Sequence, residues 1–172
     1  VMKYLKYLLY AIVILIVIFF GNGMITPSIS YENEVIVNRP VTEVWAVMED
    51  DSRISEWLPV IDRIEPVSGE PGTVGAVSNI YVNENGEEMV MQETITAKTP
   101  NAHMAMTFTM DFMNMDYDMK LVEKEGKTHI TTTSTTIGNG MFSKSILSFM
   151  SGTMSQQEDE NLNRLKKVIE NN

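Results

Sequence analysis

The sequence predicts an α+β protein in which a long C-terminal helix covers an antiparallel sheet, with one transmembrane helix ahead of them. Three observations predict this fold. Residues 60–137 contain strand-type segments separated by turn signals, and consecutive hairpins of this kind pair antiparallel. A helical pattern of about thirty residues closes the chain and offers an apolar stripe to the sheet. Near the start, residues 7–20 form an apolar run without a charge.

Composition and charge exclude several classes of function. The 172 residues are 44% hydrophobic, which is too apolar for a disordered chain. The formal net charge is −10, and an acidic body repels nucleic-acid phosphates, so nucleic-acid binding is excluded. The lack of cysteine excludes disulfides, thiolate metal sites and cysteine nucleophiles. The two histidines, His103 and His129, do not form a metal-ligand motif, and the sequence indicates neither a metal nor a cofactor.

The apolar N-terminal segment is predicted to enter a membrane. It extends from Tyr4 through Phe20 to Met24, which is close to the roughly 20 residues that cross a bilayer core. Lys6 lies near one end, where its ammonium group reaches the headgroups along its own apolar stem. We therefore expect a transmembrane anchor over residues 1–24.

The lysines predict the orientation of this anchor. Lys3 and Lys6 precede the apolar run and the next basic residue is Arg39, so the N-terminus should stay cytoplasmic and the rest of the chain extracytoplasmic. Residues 25–30 are expected to form a linker. A cleaved signal peptide, which would give a secreted protein, and a buried core helix are the alternatives.

After the linker, a short strand and two short helices are predicted. Residues 34–37 form the strand, and Pro40 begins a helix with apolar residues at helical spacing, namely Val41, Val44, Trp45 and Met48. Ser52 is the expected N-cap of the second helix, which runs through Trp57 and ends before Pro59.

Six more strands and the closing helix follow. Asn83-Glu84-Asn85-Gly86 predicts a hairpin turn, and Asp111–Asn114 is interpreted as another turn. The predicted strands cover residues 60–66, 74–82, 89–98, 102–110, 115–121 and 128–137. The first half of the closing helix carries an apolar stripe of Phe142, Ile146, Phe149, Met150 and Met154.

This order of elements, β-α-α-β6-α, resembles that of the START/Bet v 1-like (SRPBCC) superfamily. The segment EVIVNRPVTEVWAVMEDDSRISEWLP resembles the opening strand and helices of its polyketide cyclase/dehydrase-like branch. SGEPGTVGA is similar to the glycine turn after its second strand, and NLNRLKKVIE to its closing helix. The resemblance covers residues 31–169, so we expect one such domain over residues 31–172.

What the resemblance implies is a helix-grip fold, in which a curved antiparallel sheet wraps around the C-terminal helix and leaves an apolar cavity. Members of the superfamily bind lipids, sterols, polyketides or plant metabolites, and some are cyclases or aromatases. They share no catalytic motif, so the resemblance assigns no catalytic residue. Fold alone does not decide between binding and catalysis.

Methionine is the most unusual feature of the composition, with 14 residues in total. Met104, Met106 and Phe108 alternate with polar residues, as do Tyr117 and Met119, which places each set on one face of a strand. Such residues form either a soft wall for an apolar ligand or an ordinary core. The expected ligand-binding residues are Trp57, Asn79, Tyr81, Met91, Glu93, Met104, Met106, Phe108, Tyr117, Met119 and Phe149.

Glu93 is the one candidate for acid–base chemistry. It shares its strand face with Met91 and Ile95, whereas Asn79 and Tyr81 share the face of Val77. A carboxyl group inside an apolar cavity has a raised pKa and is suited to proton transfer. Alternatively, Glu93 lies at the rim of the sheet or pairs with a lysine.

Three functions follow from these features. The leading one is a membrane-anchored module that binds or transfers a small hydrophobic ligand or lipid. The second is a cyclase/dehydratase-like enzyme that uses Glu93 with a cavity tyrosine, Tyr81 or Tyr117. The third is an acidic protein-interaction module with a closed cavity.

Overall fold

A computed structural model describes residues 2–84 and 86–171. The helices are α1 (Met2–Ile25), α2 (Val41–Met48), α3 (Ile54–Trp57) and α4 (Met141–Glu170), and a 3-10 turn covers Asp51–Arg53. The strands are β1 (Ser28–Val37), β2 (Ile61–Ser68), β3 (Val77–Glu84), β4 (Glu87–Thr99), β5 (His103–Thr109), β6 (Met113–Lys124) and β7 (Lys127–Gly138). The described residues do not include Asn85 of the predicted hairpin turn, Val1, Asn172 or the side chain of Lys3.

The predicted fold class is confirmed. All seven strands form one antiparallel sheet in the order β1-β7-β6-β5-β4-β3-β2, and the long C-terminal helix packs on it. β1 is an edge strand and pairs with β7, so the first and last strands of the chain are neighbours. This is the helix-grip arrangement.

Several local details differ from the sequence expectation. β1 begins at Ser28 rather than Glu34, because residues that were expected in the linker pair with β7, with Ser28 opposite Ile137. β6 begins at Met113, inside the expected turn. Ser52 does not cap the second helix; instead the Asp50 carboxylate accepts a hydrogen bond from the Ser52 backbone N–H at 3.1 Å.

The hydrophobic core lies between the β1/β7/β6 part of the sheet and the C-terminal half of α4. Val37, Ile130 and Leu165 have no exposed surface, and Val44 and Trp45 of α2 close the core at one end. Polar contacts hold α4 to the edge strand: Asn33 Nδ2 donates hydrogen bonds to the Ser155 carbonyl at 3.0 Å and to Asp159 Oδ1 at 2.7 Å. These contacts fix α4 over one side of the sheet.

Helix α1 is long and apolar enough to cross a membrane. Its candidate span, Tyr4–Ile25, contains 22 residues and is therefore about 33 Å long, compared with about 30 Å for a hydrocarbon core. Most of the helix projects away from the domain and is exposed, whereas its last turns pack against the first half of α4.

Leu165→Ala is expected to lower the free energy of unfolding by about 2–5 kcal/mol, because it opens a cavity in the closed part of the core. Val122→Ala, at a half-exposed position on β6, should change it by no more than about 0.5 kcal/mol. Urea denaturation of the full chain in detergent, followed by tryptophan fluorescence, measures both values. Equal losses from the two variants would contradict this description of the core.

Candidate ligand-binding cavity

A cavity of about 630 Å³ lies between the concave face of the sheet and helices α3 and α4. It extends over the strands that α4 leaves uncovered, from β2 to β6. Most of its wall is apolar, with four carboxylic acids and one lysine among the lining residues. The apolar part includes Met48, Ile54, Trp57, Leu58, Ile61, Ile64, Ile80, Met91, Ile95, Met104, Met106, Phe108, Met115 and Met119.

The methionine-rich wall comes from β5 and β6. Met104 pairs with Met119 across the two strands, and Met106 pairs with Tyr117, so the inward faces predicted from alternation meet each other. Phe108 contacts the Tyr117 ring edge-on, with the ring centroids 6.5 Å apart. Flexible, polarizable thioethers give this wall a surface that adapts to the shape of an apolar molecule.

Two expected residues on β3 lie on the opposite face of the sheet. The Tyr81 hydroxyl donates a hydrogen bond to Glu65 at 3.0 Å, and the Arg63 guanidinium stacks over its ring at 3.5 Å. Asn79 shares this face, while Ser78 and Ile80 line the cavity instead. Asn79 and Tyr81 are therefore corrected: they are not cavity residues.

Phe149 is also outside the cavity. Its ring stacks on Phe19 of α1 with the centroids 6.2 Å apart and the planes 4° from parallel, and 64% of the residue is exposed. Phe142 of the same stripe also contacts Phe19 and is 62% exposed. The two phenylalanines therefore face α1 and solvent, and the expectation that Phe149 lines the ligand cavity is wrong.

Trp57 ends α3 and lines the cavity, while its ring also packs against the core. Its indole Nε1–H is buried and has no acceptor within residues 2–84 and 86–171. A buried donor without an acceptor is unfavourable by about 1–3 kcal/mol. The Trp57 ring thus borders the cavity, while its Nε1–H is enclosed by the protein itself.

Glu93 faces the cavity from β4, beside Met91 and Ile95, as its strand position predicted. Its carboxylate has no hydrogen-bond or ion-pair partner in the described part of the chain. Burial raises the pKa of Glu93, and the negative charge of Asp51 raises it further. An uncompensated carboxyl group in this position is a proton donor or acceptor for whatever enters the cavity.

A second carboxylic acid enters the cavity from α4. Glu158 Oε1 accepts a hydrogen bond from the Tyr117 hydroxyl at 2.7 Å, and Asn161 lies one turn further along the helix. Burial raises the pKa of Glu158, and the Tyr117 hydrogen bond offsets this effect only in part. The cavity tyrosine is thus paired with Glu158 rather than with Glu93.

The remaining charged groups cluster at the end of the cavity near α2. Lys98 Nζ contacts Glu49 Oε1 at 2.5 Å and donates to the Gly72 carbonyl at 2.7 Å. Asp51 belongs to the same lining. The lysine charge is therefore already matched by Glu49, and the cavity as a whole is negative.

Glu158 and Met48 are cavity residues that the sequence analysis did not select. Glu158 lies four residues before Leu162 and so continues the buried stripe of Leu162, Leu165 and Ile169. That spacing was the available signal, but the polar neighbours of Glu158 obscured it. Met48 ends the α2 stripe, and only the fold shows that this stripe ends at the cavity.

No group of three His, Asp or Glu side chains within the described ranges could hold a metal ion. His103 Nε2 lies 2.6 Å from Asp118 Oδ2, and His129 Nδ1 lies 3.4 Å from Glu34 Oε1. Both pairs belong to the outward faces of their strands, remote from the cavity.

Glu93→Gln is expected to stabilise the protein at neutral pH but not at acidic pH. Because the pKa of Glu93 is raised in the folded state, the unfolded chain ionises first as the pH rises above the ordinary value of 4.5. Between pH 4.5 and the raised pKa, the free energy of unfolding of the parent protein therefore falls as the pH rises. The glutamine variant has no carboxyl group at this position, so it does not show this decrease. Denaturation of both proteins across this pH range measures the effect.

Glu87→Gln, at the exposed start of the same strand, is the matched control, and we expect it to behave like the parent protein at every pH. A Glu93→Gln variant whose stability tracks that of the parent across the range would show that the carboxyl group is not desolvated.

Comparison with known proteins places this geometry in a family. A family model described as polyketide cyclase / dehydrase and lipid transport matches residues 28–170. No curated protein matches the sequence significantly.

Solved structures share the fold at low sequence identity. Ara h 8.0201 is 17% identical with a TM-score of 0.66, covering 84% of this chain and 99% of its own. The Zhui aromatase/cyclase from Streptomyces sp. R1128 is 15% identical with a TM-score of 0.68, and the match covers 83% of this chain and 94% of the aromatase/cyclase. The protein of unknown function SA2116 from Staphylococcus aureus is 14% identical with a TM-score of 0.69, and the match covers 84% of this chain and 94% of SA2116. Through its family match and this shared fold, the chain belongs to the polyketide cyclase / dehydrase and lipid transport family.

Proposed function

We propose that this protein is a membrane-anchored module that binds a small, uncharged lipophilic molecule in the cavity between the sheet and α4. The observation that carries the proposal is the cavity itself, because about 630 Å³ with a mostly apolar lining is typical of a small-molecule site. Family membership supports it, since the family description includes lipid transport.

The lining favours a lipophile over water. A buried water molecule needs about three hydrogen-bond partners, and the one polar side-chain group of the β5/β6 wall is the Tyr117 hydroxyl, which already binds Glu158. Apolar surface that a ligand covers contributes about 25 cal/mol per Å² to binding. An apolar molecule therefore fills this part of the cavity more favourably than solvent does.

The charges of the lining select against anions. Glu49, Asp51, Glu93 and Glu158 all line the cavity, and Lys98, its one lysine, is paired with Glu49. Like charges repel each other more strongly inside a cavity than in bulk water, because the effective dielectric constant is lower there. A carboxylate or phosphate headgroup is therefore disfavoured relative to an uncharged molecule.

Helix α1 supports the membrane-anchored part of the proposal. Its candidate span is exposed along most of its length, as expected for a helix surrounded by lipid rather than protein. The lysines near its N-terminus favour an extracytoplasmic cavity domain. A cleaved signal peptide remains the alternative, and it would release the same cavity as a secreted protein.

Met106→Trp should weaken retention of a lipophile, because the larger side chain takes up part of the cavity and replaces a flexible thioether with a rigid ring. Thr109→Trp is the matched control, since Thr109 is exposed on the same strand. Native mass spectrometry of the full chain released from detergent, after incubation with a long-chain fatty acid methyl ester, counts the adducts. We expect one adduct on the parent protein and on the Thr109 variant. A parent protein that never retains the ester, or a Met106 variant that retains it equally well, would overturn the proposal.

The charge preference of the cavity is tested by comparing a long-chain fatty acid methyl ester with the corresponding fatty acid. The fatty acid anion should bind the parent protein roughly tenfold more weakly than its ester, because of the cavity carboxylates. A fluorescent-probe displacement assay gives this ratio. A preference for the anion would contradict the charge argument.

A cyclase/dehydratase activity is the second candidate, and the unpaired Glu93 carboxyl in the cavity is the observation that favours it. Tyr81 lies outside the cavity, so the tyrosine that would act with Glu93 is Tyr117, which is hydrogen-bonded to Glu158. The Glu93→Gln variant would then bind substrate without turning it over. The third candidate assumed a closed cavity, and a cavity of about 630 Å³ does not support that assumption.

A further inference from the structure

The last turns of α1 pack tightly against the first half of α4. The Phe19 ring contacts Phe142 and Phe149, with centroid distances of 6.0 and 6.2 Å. One turn later, Asn22 Nδ2 donates a hydrogen bond to Ser148 Oγ at 2.9 Å. The apolar helix is therefore not attached to the domain through a flexible linker alone.

Gly23 shows how close the two helices approach. A Cβ atom at this position would lie 2.6 Å from the Ser145 backbone nitrogen and 2.8 Å from its Cα atom, distances that real Cβ atoms do not adopt. Ser145 is completely buried in this contact. Rings, a polar side-chain pair and a close backbone approach thus fix the direction of α1 relative to α4.

Exposed apolar side chains surround this contact. On α4, Phe142 is 62% exposed although it touches Phe19, and Met141, Phe149 and Met150 are exposed beside it. Phe112 and Ile137 are exposed at the same end of the sheet, where Ser28 pairs with Ile137 and the Asn139 N–H donates to the Phe112 carbonyl. We call Phe112, Ile137, Met141, Phe142, Phe149 and Met150 the α1-side surface.

The α1-side surface is also where the chain carries few acids. Residues 1–31 and 126–157 contain no Asp or Glu, in a protein with 23 of them. These two stretches supply α1, the start of β1, β7 and the first half of α4. Asp111 beside Phe112 is the nearby exception, and Lys144 contributes a positive charge. An anionic bilayer repels the rest of the domain but not this side.

We propose that the α1-side surface lies in the interface of the bilayer that α1 crosses, so that the domain rests on the membrane in one fixed orientation. This rests on the proposed membrane anchor. Phe19 is six residues before the end of α1, or about 9 Å along its axis, so in a span of about 33 Å centred on a core of about 30 Å it lies roughly 7 Å inside the edge of the hydrocarbon. Phe142 and Phe149 contact Phe19 and so lie at the same depth, within the roughly 5–10 Å that interfacial helices reach.

Lipid, rather than a protein partner, is the occupant that the structure favours. The surface is continuous with the exposed face of α1, and no polar boundary separates Phe19 from the two α4 phenylalanines. Aromatic and methionine side chains on one helix face, with a lysine on another face, are typical of segments that lie in the membrane interface.

The natural lack of cysteine allows single nitroxide labels to test this orientation. The full chain is reconstituted in vesicles of phosphatidylcholine and phosphatidylglycerol, with one label at Met150→Cys, Phe112→Cys, Ile14→Cys or Val122→Cys. Ile14 reports on the anchor, and Val122 is the matched control, an exposed apolar residue at the far end of the sheet. Electron paramagnetic resonance gives the accessibility of each label to oxygen, which prefers lipid, and to a water-soluble nickel complex.

We expect the oxygen-to-nickel ratio at Met150 and Phe112 to exceed that at Val122 by roughly threefold or more, and Ile14 to give the highest ratio. If Ile14 is in lipid while Met150 and Phe112 match Val122, the orientation is wrong and the anchor stands. If Ile14 is also in water, the anchor itself fails. Spin–spin broadening at Met150 that disappears on dilution with unlabelled protein would identify a contact between copies and overturn the proposal.

Discussion

One helix cannot cover a sheet of seven strands. At about 4.8 Å between neighbours, the sheet is roughly 29 Å wide if flat, whereas a helix with its side chains is 10–12 Å across. Contacts near the middle and at the C-terminal end of α4 decide which part of the sheet it covers: Asn33 binds Ser155 and Asp159, and Arg39 donates to the Glu170 carbonyl at 3.0 Å. Because α4 is held over β1 and β7, the apolar face of the other strands curves around empty space.

The two halves of α4 therefore have different surroundings. The second half completes the core through Leu162, Leu165 and Ile169, and Glu158 projects from it to the cavity. The first half meets α1 through Ser145, Ser148 and its phenylalanines. A single continuous helix thus connects the cavity wall to the helix that is proposed to cross the membrane, so that the position of one fixes the position of the other.

Much of this arrangement could be predicted from sequence, with clear physical limits. The inward faces of β5 and β6 were predicted correctly, because thioether and aromatic residues alternate there with Asp and Thr. β3 was assigned to the wrong face because Tyr81 and Ile80 make both of its faces partly apolar, and an arginine then covers the tyrosine. Phe149 was misplaced because periodicity shows which apolar residues share a helix face but not what that face contacts. The α1–α4 contact joins residues far apart in sequence, which no local pattern encodes.

Methionine methyl NMR tests whether the uncovered sheet face is the binding site. Of the 14 methionines, six line the cavity, namely Met48, Met91, Met104, Met106, Met115 and Met119, whereas Met24, Met141 and Met150 lie on the α1 side. The full chain, labelled at the methionine methyl groups and held in nanodiscs, is titrated with a long-chain fatty acid methyl ester. The account predicts saturable shifts of the six cavity resonances and unchanged α1-side resonances. Shifts confined to the α1-side methionines, or no saturable shift at all, would contradict it.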